Sequence, residues 1–292
     1  MTAGVAGTRF RWSRPASLAD ALARKAADPA LTPIAGGTDL MVLINQGALR
    51  AGHLLDLWGL GELRGIAVDE QAVALGALTT YADVAAHPVV AERHPLLVAA
   101  ARVSGAWAIQ NRGTLGGNVA NASPAADSPP ALLAYGARVE VASVRGRRWL
   151  DYAAVHTGYK QLALAPDELI TRIELPRPPA GAVHFYRKVG TRKAQAISKV
   201  CVAALAERDA RGAFGVVRLA LGSVAPTPVL ARDTAAWLAG QEPARVDRAA
   251  ARARLAREIA PIDDLRSTAR YRAAVAGNLL EQLLEEATRR PT

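Results

Sequence analysis

Two glycine pairs, Gly36-Gly37 and Gly116-Gly117, constrain this chain more than any other feature of its sequence. Adjacent glycines let a backbone turn sharply and let main-chain amides approach another group with no Cβ in the way. The first pair follows a short apolar run over residues 31–35 and precedes a helical pattern over residues 39–46 that stops at Gly47. Such a strand–turn–helix leaves amides unpaired, which suits an anion such as a pyrophosphate, and it is also a common form of tight turn. Thr38 is placed either to cap the helix or to donate its hydroxyl to that anion.

The second pair lies in Gly113-Thr114-Leu115-Gly116-Gly117-Asn118-Val119-Ala120-Asn121-Ala122-Ser123-Pro124-Ala125-Ala126-Asp127. Here Asn118, Asn121 and Ser123 either hold a polar ligand or stabilise turns. Asp127 either accepts hydrogen bonds from ribose hydroxyls or caps the helix that Ser128-Pro129-Pro130 opens. Two such loops are harder to explain as turns alone. Neither carries the Lys-Ser or Lys-Thr of a P-loop, and neither matches the Gly-x-Gly-x-x-Gly of a Rossmann site, so a nucleotide fold of another type is required.

Around these loops the pattern is mixed. Helices are predicted over residues 17–27 (with Ser17 as N-cap), 80–86 and 95–103, and strands over 53–56, 66–68, 72–75, 137–144 and 168–175. Residues 103–130 read as a long polar loop of the kind that carries function. Proline and glycine cluster in Pro176-Arg177-Pro178-Pro179-Ala180-Gly181, the best candidate boundary. Beyond it, strands are predicted over 183–188, 197–207 and 214–222, then helices over 232–239, 246–259 and 270–286. Just past the boundary, Phe185-Tyr186-Arg187-Lys188-Val189-Gly190-Thr191-Arg192-Lys193 is strongly basic, which is either a solvated turn or a source of positive charge for a bound group.

Composition narrows the classes. The 292 residues are 51% hydrophobic but only 5% aromatic, so a sizeable core is built from Ala, Val, Leu and Ile. No uninterrupted apolar run reaches the roughly 18 residues of a membrane span, and residues 1–14 lack the apolar centre of a secretory signal, so a cytoplasmic location is expected. Cys201 is the only cysteine, which excludes an internal disulfide and a cysteine-ligated iron–sulfur cluster within the chain. The net charge of +10 falls almost wholly after residue 176. Arginine there is interleaved with Ala and Leu at helical spacing, which favours solvated helices over nucleic-acid binding.

The two loops, the basic segment and their order resemble the FAD subunits of the molybdenum hydroxylases, the xanthine dehydrogenase and carbon monoxide dehydrogenase family, over almost the whole chain. Tyr186 to Lys188 with Ala196-Ile197-Ser198-Lys199-Val200 is more similar to the xanthine dehydrogenase branch. The resemblance implies an α+β fold: a vanillyl-alcohol-oxidase (PCMH) type FAD-binding domain of two subdomains, then a C-terminal domain with a three-stranded antiparallel sheet and helices. The domains would be residues 1–176 (subdomains about 1–58 and 59–176) and 182–290. By the same resemblance, Ile34, Ala35, Gly36, Gly37, Thr38, Asp39 and Leu40 match the first pyrophosphate loop, and Thr114, Gly116, Gly117 and Asn118 the second. Asp127 matches an acidic residue near the nucleotide, Ile170 an aliphatic residue against FAD, and Lys188 a basic residue near the flavin, where it would tune the ring without being catalytic.

The resemblance further implies an oxidoreductase subunit that passes electrons from partner iron–sulfur clusters through FAD to NAD, oxygen or another carrier. The partners would be a large molybdopterin-binding subunit and a small subunit with 2Fe-2S clusters, in a heterotrimer or its dimer. No His or Cys lies in either glycine loop, so FAD is expected to be non-covalent, and no metal site is expected in this chain. The alternatives are a stand-alone FAD-dependent oxidase or reductase, and a basic nucleic-acid-binding or regulatory protein.

Overall fold

The computed structural model describes residues 10–49 and 52–289. The reading of residues 1–14 as lacking a leader therefore falls largely outside the described residues, as does residue 290 of the expected C-terminal domain.

A small parallel sheet comes first. Strand His53–Asp56 lies at its centre, between Arg11–Ser13 and Thr32–Ile34. Helix Leu18–Ala27 forms as the sequence predicts: the Ser17 hydroxyl accepts from the Asp20 amide at 3.1 Å, and Leu18 and Ala21 are buried with Leu31 and Leu55. A five-stranded antiparallel sheet follows, in the order Ile66–Val68, Ala72–Gly76, Leu169–Pro176, Arg138–Ser143, Gly146–Asp151. Its last strand was not legible from sequence. It is a mostly exposed edge, Gly-Arg-Arg-Trp-Leu-Asp, without an apolar alternation.

Residues 103–130 are not one long loop. Helices Trp107–Gln110 and Leu115–Ala120 interrupt them, the second capped by Thr114, whose hydroxyl accepts from the Gly117 amide at 3.1 Å. Both are too short to show a periodic face, and Leu115 and Val119 alone are the buried apolar anchors of the second. Helix Ser128–Tyr135 then runs with every residue buried. It packs on helix Pro95–Val103 and on strands Val200–Arg208 and Phe214–Gly222, which explains why it is apolar all round.

The C-terminal sheet pairs Val183–Val189, Val200–Arg208 and Phe214–Gly222 antiparallel. A fourth, two-residue strand, Val229–Leu230, adds to the expected three; it is too short to register as an alternation. The sheet's two faces separate by the period of two. Tyr186, Cys201, Ala203 and Leu205 join the core of the five-stranded sheet, whereas Phe185, Val202, Ala204 and Leu219 pack against helices Arg232–Leu238, Arg248–Glu258 and Ala269–Arg289. One hydrophobic core therefore crosses the proline-rich segment at residues 176–181.

Several arginines of the C-terminal helices face acidic partners. Arg248 pairs with Glu285 at 3.0 Å, Arg252 with Glu281 at 2.8 Å, and the buried Arg272 with Asp264 at 2.7 Å. These pairs favour the reading of the basic half as helices that carry part of their charge in ion pairs and leave a net positive surface. No helix among the described residues is long and apolar enough to cross a membrane.

Candidate functional site

The two glycine loops meet. Gly36 lies so close to the segment before the second loop that a Cβ on it would come within 1.7 Å of the Arg112 carbonyl oxygen. The next residue, Gly37, has φ +77°, a conformation that side chains resist. This turn carries the backbone from the end of strand Thr32–Ile34 into helix Leu40–Asn45, where the Met41 amide bonds back to the Gly37 carbonyl at 2.8 Å. Among the described residues, the amides of Gly36, Gly37, Thr38, Asp39 and Leu40 donate no hydrogen bond.

The second loop spends its amides differently. Gly116 donates to the Ala77 carbonyl at 2.9 Å, Gly117 to the Thr114 hydroxyl, and Asn118 to the Thr114 carbonyl at 2.9 Å. The first of these ties the loop to the segment that follows strand Ala72–Gly76, as does Leu115, which donates to the Thr79 carbonyl at 2.9 Å, and the two bonds to Thr114 close the loop on itself. So the first loop presents free donors, while the second is a fixed wall.

Between them opens a cleft of about 530 Å³, within the ordinary size of a small-molecule site. Residues 35–40 form one side, and Thr114, Gly116, Gly117, Asn118 and Asn121 another. Leu57, Leu63, Leu78, Leu164, Leu169 and Ile170 supply an apolar wall, and Tyr81 closes it with a buried ring. Two lysines complete the lining. The Lys25 ammonium is consumed by the carbonyls of Pro29 and Leu31, at 2.5 and 2.7 Å. Lys160 reaches the Asn121 backbone oxygen at 2.8 Å and its Oδ1 at 2.7 Å. Asp39, at the rim, hydrogen-bonds Asn121; the cleft walls push its carboxyl above the usual range, and the Lys160 charge opposes that shift.

Residues 8–178 match the family of FAD binding domains in molybdopterin dehydrogenase, and residues 184–287 match the C-terminal domain of carbon monoxide dehydrogenase flavoproteins. The chain belongs to the FAD-binding subunits of the molybdenum hydroxylases. It is 35% identical over 222 residues to a xanthine dehydrogenase FAD-binding subunit of Escherichia coli, covering 75% of each. It is 32% identical over 287 residues to the carbon monoxide dehydrogenase medium chain of Afipia carboxidovorans, covering 96% of this chain and 97% of that one. A solved carbon monoxide dehydrogenase of Oligotropha carboxidovorans superposes with a TM-score of 0.91 at 29% identity, over 97% of this chain and 98% of that one. Both branches named from sequence are thus represented among its relatives.

Within this FAD-binding subunit, the structure gathers most of the residues singled out from sequence. Ala35 to Leu40, Thr114, Gly116, Gly117, Asn118, Asn121 and Ile170 all line the cleft. Ile34 does not; it is buried behind the loop, with its carbonyl accepting from Leu57 at 2.9 Å. Ser123 also lies outside the lining, where its hydroxyl accepts from the Ala125 amide at 3.3 Å as a turn residue.

Asp127 and Lys188 are absent from the lining too, and they are joined to each other. The Lys188 ammonium lies 2.6 Å from Asp127 Oδ2 and donates to the Val103 carbonyl at 2.9 Å. Ser198 donates to Asp127 Oδ1 at 2.6 Å, and the Tyr186 hydroxyl donates to the Asp127 carbonyl at 3.0 Å. The two charged side chains are only 9% and 11% exposed. Burial pushes the Asp127 carboxyl up, against the pull of the Lys188 charge. Asp127 does precede helix Ser128–Tyr135, but its side chain makes no capping bond. This pair clamps the second loop's exit to the C-terminal sheet.

Sequence reasoning missed Lys160, Lys25 and Tyr81 as cleft residues. Lys160 sits between the two-stranded pair His156–Gly158 and Gln161–Leu162, remote in sequence from both loops, and no local pattern marks it.

Proposed function

We propose that the cleft between the loops holds FAD without a covalent bond. The observation that carries this is the row of unspent amides at residues 36 to 40, facing a cleft whose opposite wall is held rigidly by the second loop. Unpaired donors in a glycine turn fit a pyrophosphate, and the leucine wall fits the flat, largely apolar rings of a dinucleotide. Ile170 and Leu169 would pack on those rings, Asn118 and Asn121 would meet polar groups, and Tyr81 would exclude water. When bound, FAD accepts electrons singly and releases them as a pair.

In this reading the chain is the electron-relaying subunit of a larger oxidoreductase. A large molybdopterin-binding partner oxidises the substrate, and a small partner with 2Fe-2S clusters delivers electrons, in a heterotrimer or its dimer within the cytoplasm. The medium-chain relatives support this assembly. The chain divides into an FAD-binding unit over residues 1–176, with subdomains of about 1–58 and 59–176, and a C-terminal unit over 182–290. The fall of the three larger sheets within these spans supports that division.

The test is the absorbance spectrum of the protein purified with its partners, followed by acid precipitation. Flavin bands with near one FAD per chain, released into the acid supernatant, are expected. An acid supernatant without flavin, or flavin that stays with the precipitate, would refute the proposal. Turnover of an organic donor by the isolated chain would favour the stand-alone alternative.

A further inference from the structure

Lys160 is the cleft residue that the reading above leaves without a task. Of the two lysines that line the cleft, Lys25 is committed to two carbonyls behind the wall, whereas Lys160 stands at the rim and reaches across to the second loop. No arginine lines the cleft among the described residues. Its hydrogen-bond partners are neutral oxygens of Asn121, weaker attractors than a phosphate oxygen, and the Asp39 carboxyl attracts it only through space. Its backbone has φ +57°, unusual for a residue with a side chain. Such conformations recur at ligand clamps, although Ala122, Gln195 and Ser223, outside the cleft, also have positive φ.

A pyrophosphate brings negative charge to a cleft that already contains the Asp39 carboxyl. Amides alone do not neutralise it. We propose that Lys160 is the counter-ion of the pyrophosphate, exchanging its Asn121 contacts for a phosphate oxygen and strapping the Gln161–Leu162 side of the cleft over the bound dinucleotide. This rests on the FAD reading and adds to it the residue that supplies charge. The strained backbone is then the cost of carrying an ammonium, and not a glycine, at that turn.

The test uses the full chain stripped of flavin. FAD affinity is measured by flavin fluorescence at several ionic strengths, and ADP, which carries the pyrophosphate without the flavin, is measured as a competitor. Lys160→Met is expected to weaken FAD and ADP about 10-fold, the lower end for a charged hydrogen bond because the residue is exposed. It is also expected to flatten the salt dependence. Lys160→Arg should retain most of the affinity. Lys160→Gly relieves the backbone and removes the charge, so it should lose affinity while the flavin-free chain melts no lower than wild type. FAD binding unchanged in Lys160→Met overturns the inference alone, as does a loss for FAD that ADP does not share. A wild-type chain that binds no FAD overturns the FAD reading itself.

Discussion

Gly36 offers the sharpest perturbation of the loop contact. A methyl group at this position would lie 1.7 Å from the Arg112 carbonyl oxygen and 3.2 Å from the Gly113 nitrogen, both backbone atoms that no rotamer change can move. Ordinary contact begins at 3.4 Å, so in Gly36→Ala the loops must part by about 1.7 Å, an overpacking strain of about 1–3 kcal/mol. That displacement carries the free amides away from the fixed wall, so the loss of FAD should exceed the loss of stability. The assay is flavin per chain after purification, with thermal melting beside it. Gly59→Ala is the control, since nothing lies within 4 Å of a Cβ at Gly59. Gly36→Ala is expected to retain little flavin and to melt several degrees lower, whereas Gly59→Ala behaves as wild type. A Gly36→Ala chain with full flavin content and an unchanged midpoint would refute the idea that the cleft depends on this contact.

Two further perturbations probe the interior. Lys188→Met and Asp127→Asn each break a buried pair, at about 3–5 kcal/mol apiece, and the double variant should cost much less than their sum; urea denaturation that finds the two losses additive contradicts the clamp. If Lys188→Met, once folded and FAD-loaded, is reoxidised as fast as wild type, Lys188 does not tune the flavin. His94 is fully buried, and burial pushes its imidazole down to about 4. Its folded value lies below the unfolded one, so its stabilising contribution is complete above about pH 6.5 and is lost as pH falls toward about 4, at about 1.4 kcal/mol per unit. His94→Gln should remove that acid limb, and urea midpoints that fall equally in both proteins between pH 6 and 4.5 would rule it out.

Local chemistry was legible where it repeats. The Ser17 cap, the helix after Gly37, the strands of the C-terminal sheet and the sequence of two loops all follow from residue type and spacing. The loops' convergence on one cleft was legible as a pair of compatible motifs, but the division of labour between them was not. Thr114 is a legible N-cap for Gly117, but nothing in Thr114-Leu115-Gly116-Gly117-Asn118 reveals that Gly116 spends its amide on Ala77, because that bond depends on where the five-stranded sheet passes. The Asp127–Lys188 pair was hidden for the same reason: each residue looked available to a ligand until the fold brought them within 2.6 Å. Lys160 and the edge strand Gly146–Asp151 carry no periodicity at all, and only tertiary placement gives them meaning.

The steric fit at the glycines has a consequence for recognising such proteins by their spelling. Gly36 is confined by the Arg112 carbonyl, Gly37 by its own torsion and Gly116 by Ala77, where a Cβ would approach within 2.7 Å. In each case the protein's own backbone, not a ligand, forbids a larger residue. A descendant that had lost its cofactor would still need these letters to close its loops. At these three positions the glycine signature is therefore a fingerprint of chain packing, whereas the informative marks of an active flavin carrier are the open donors of the first loop and a lysine able to exchange its Asn121 contacts for a ligand.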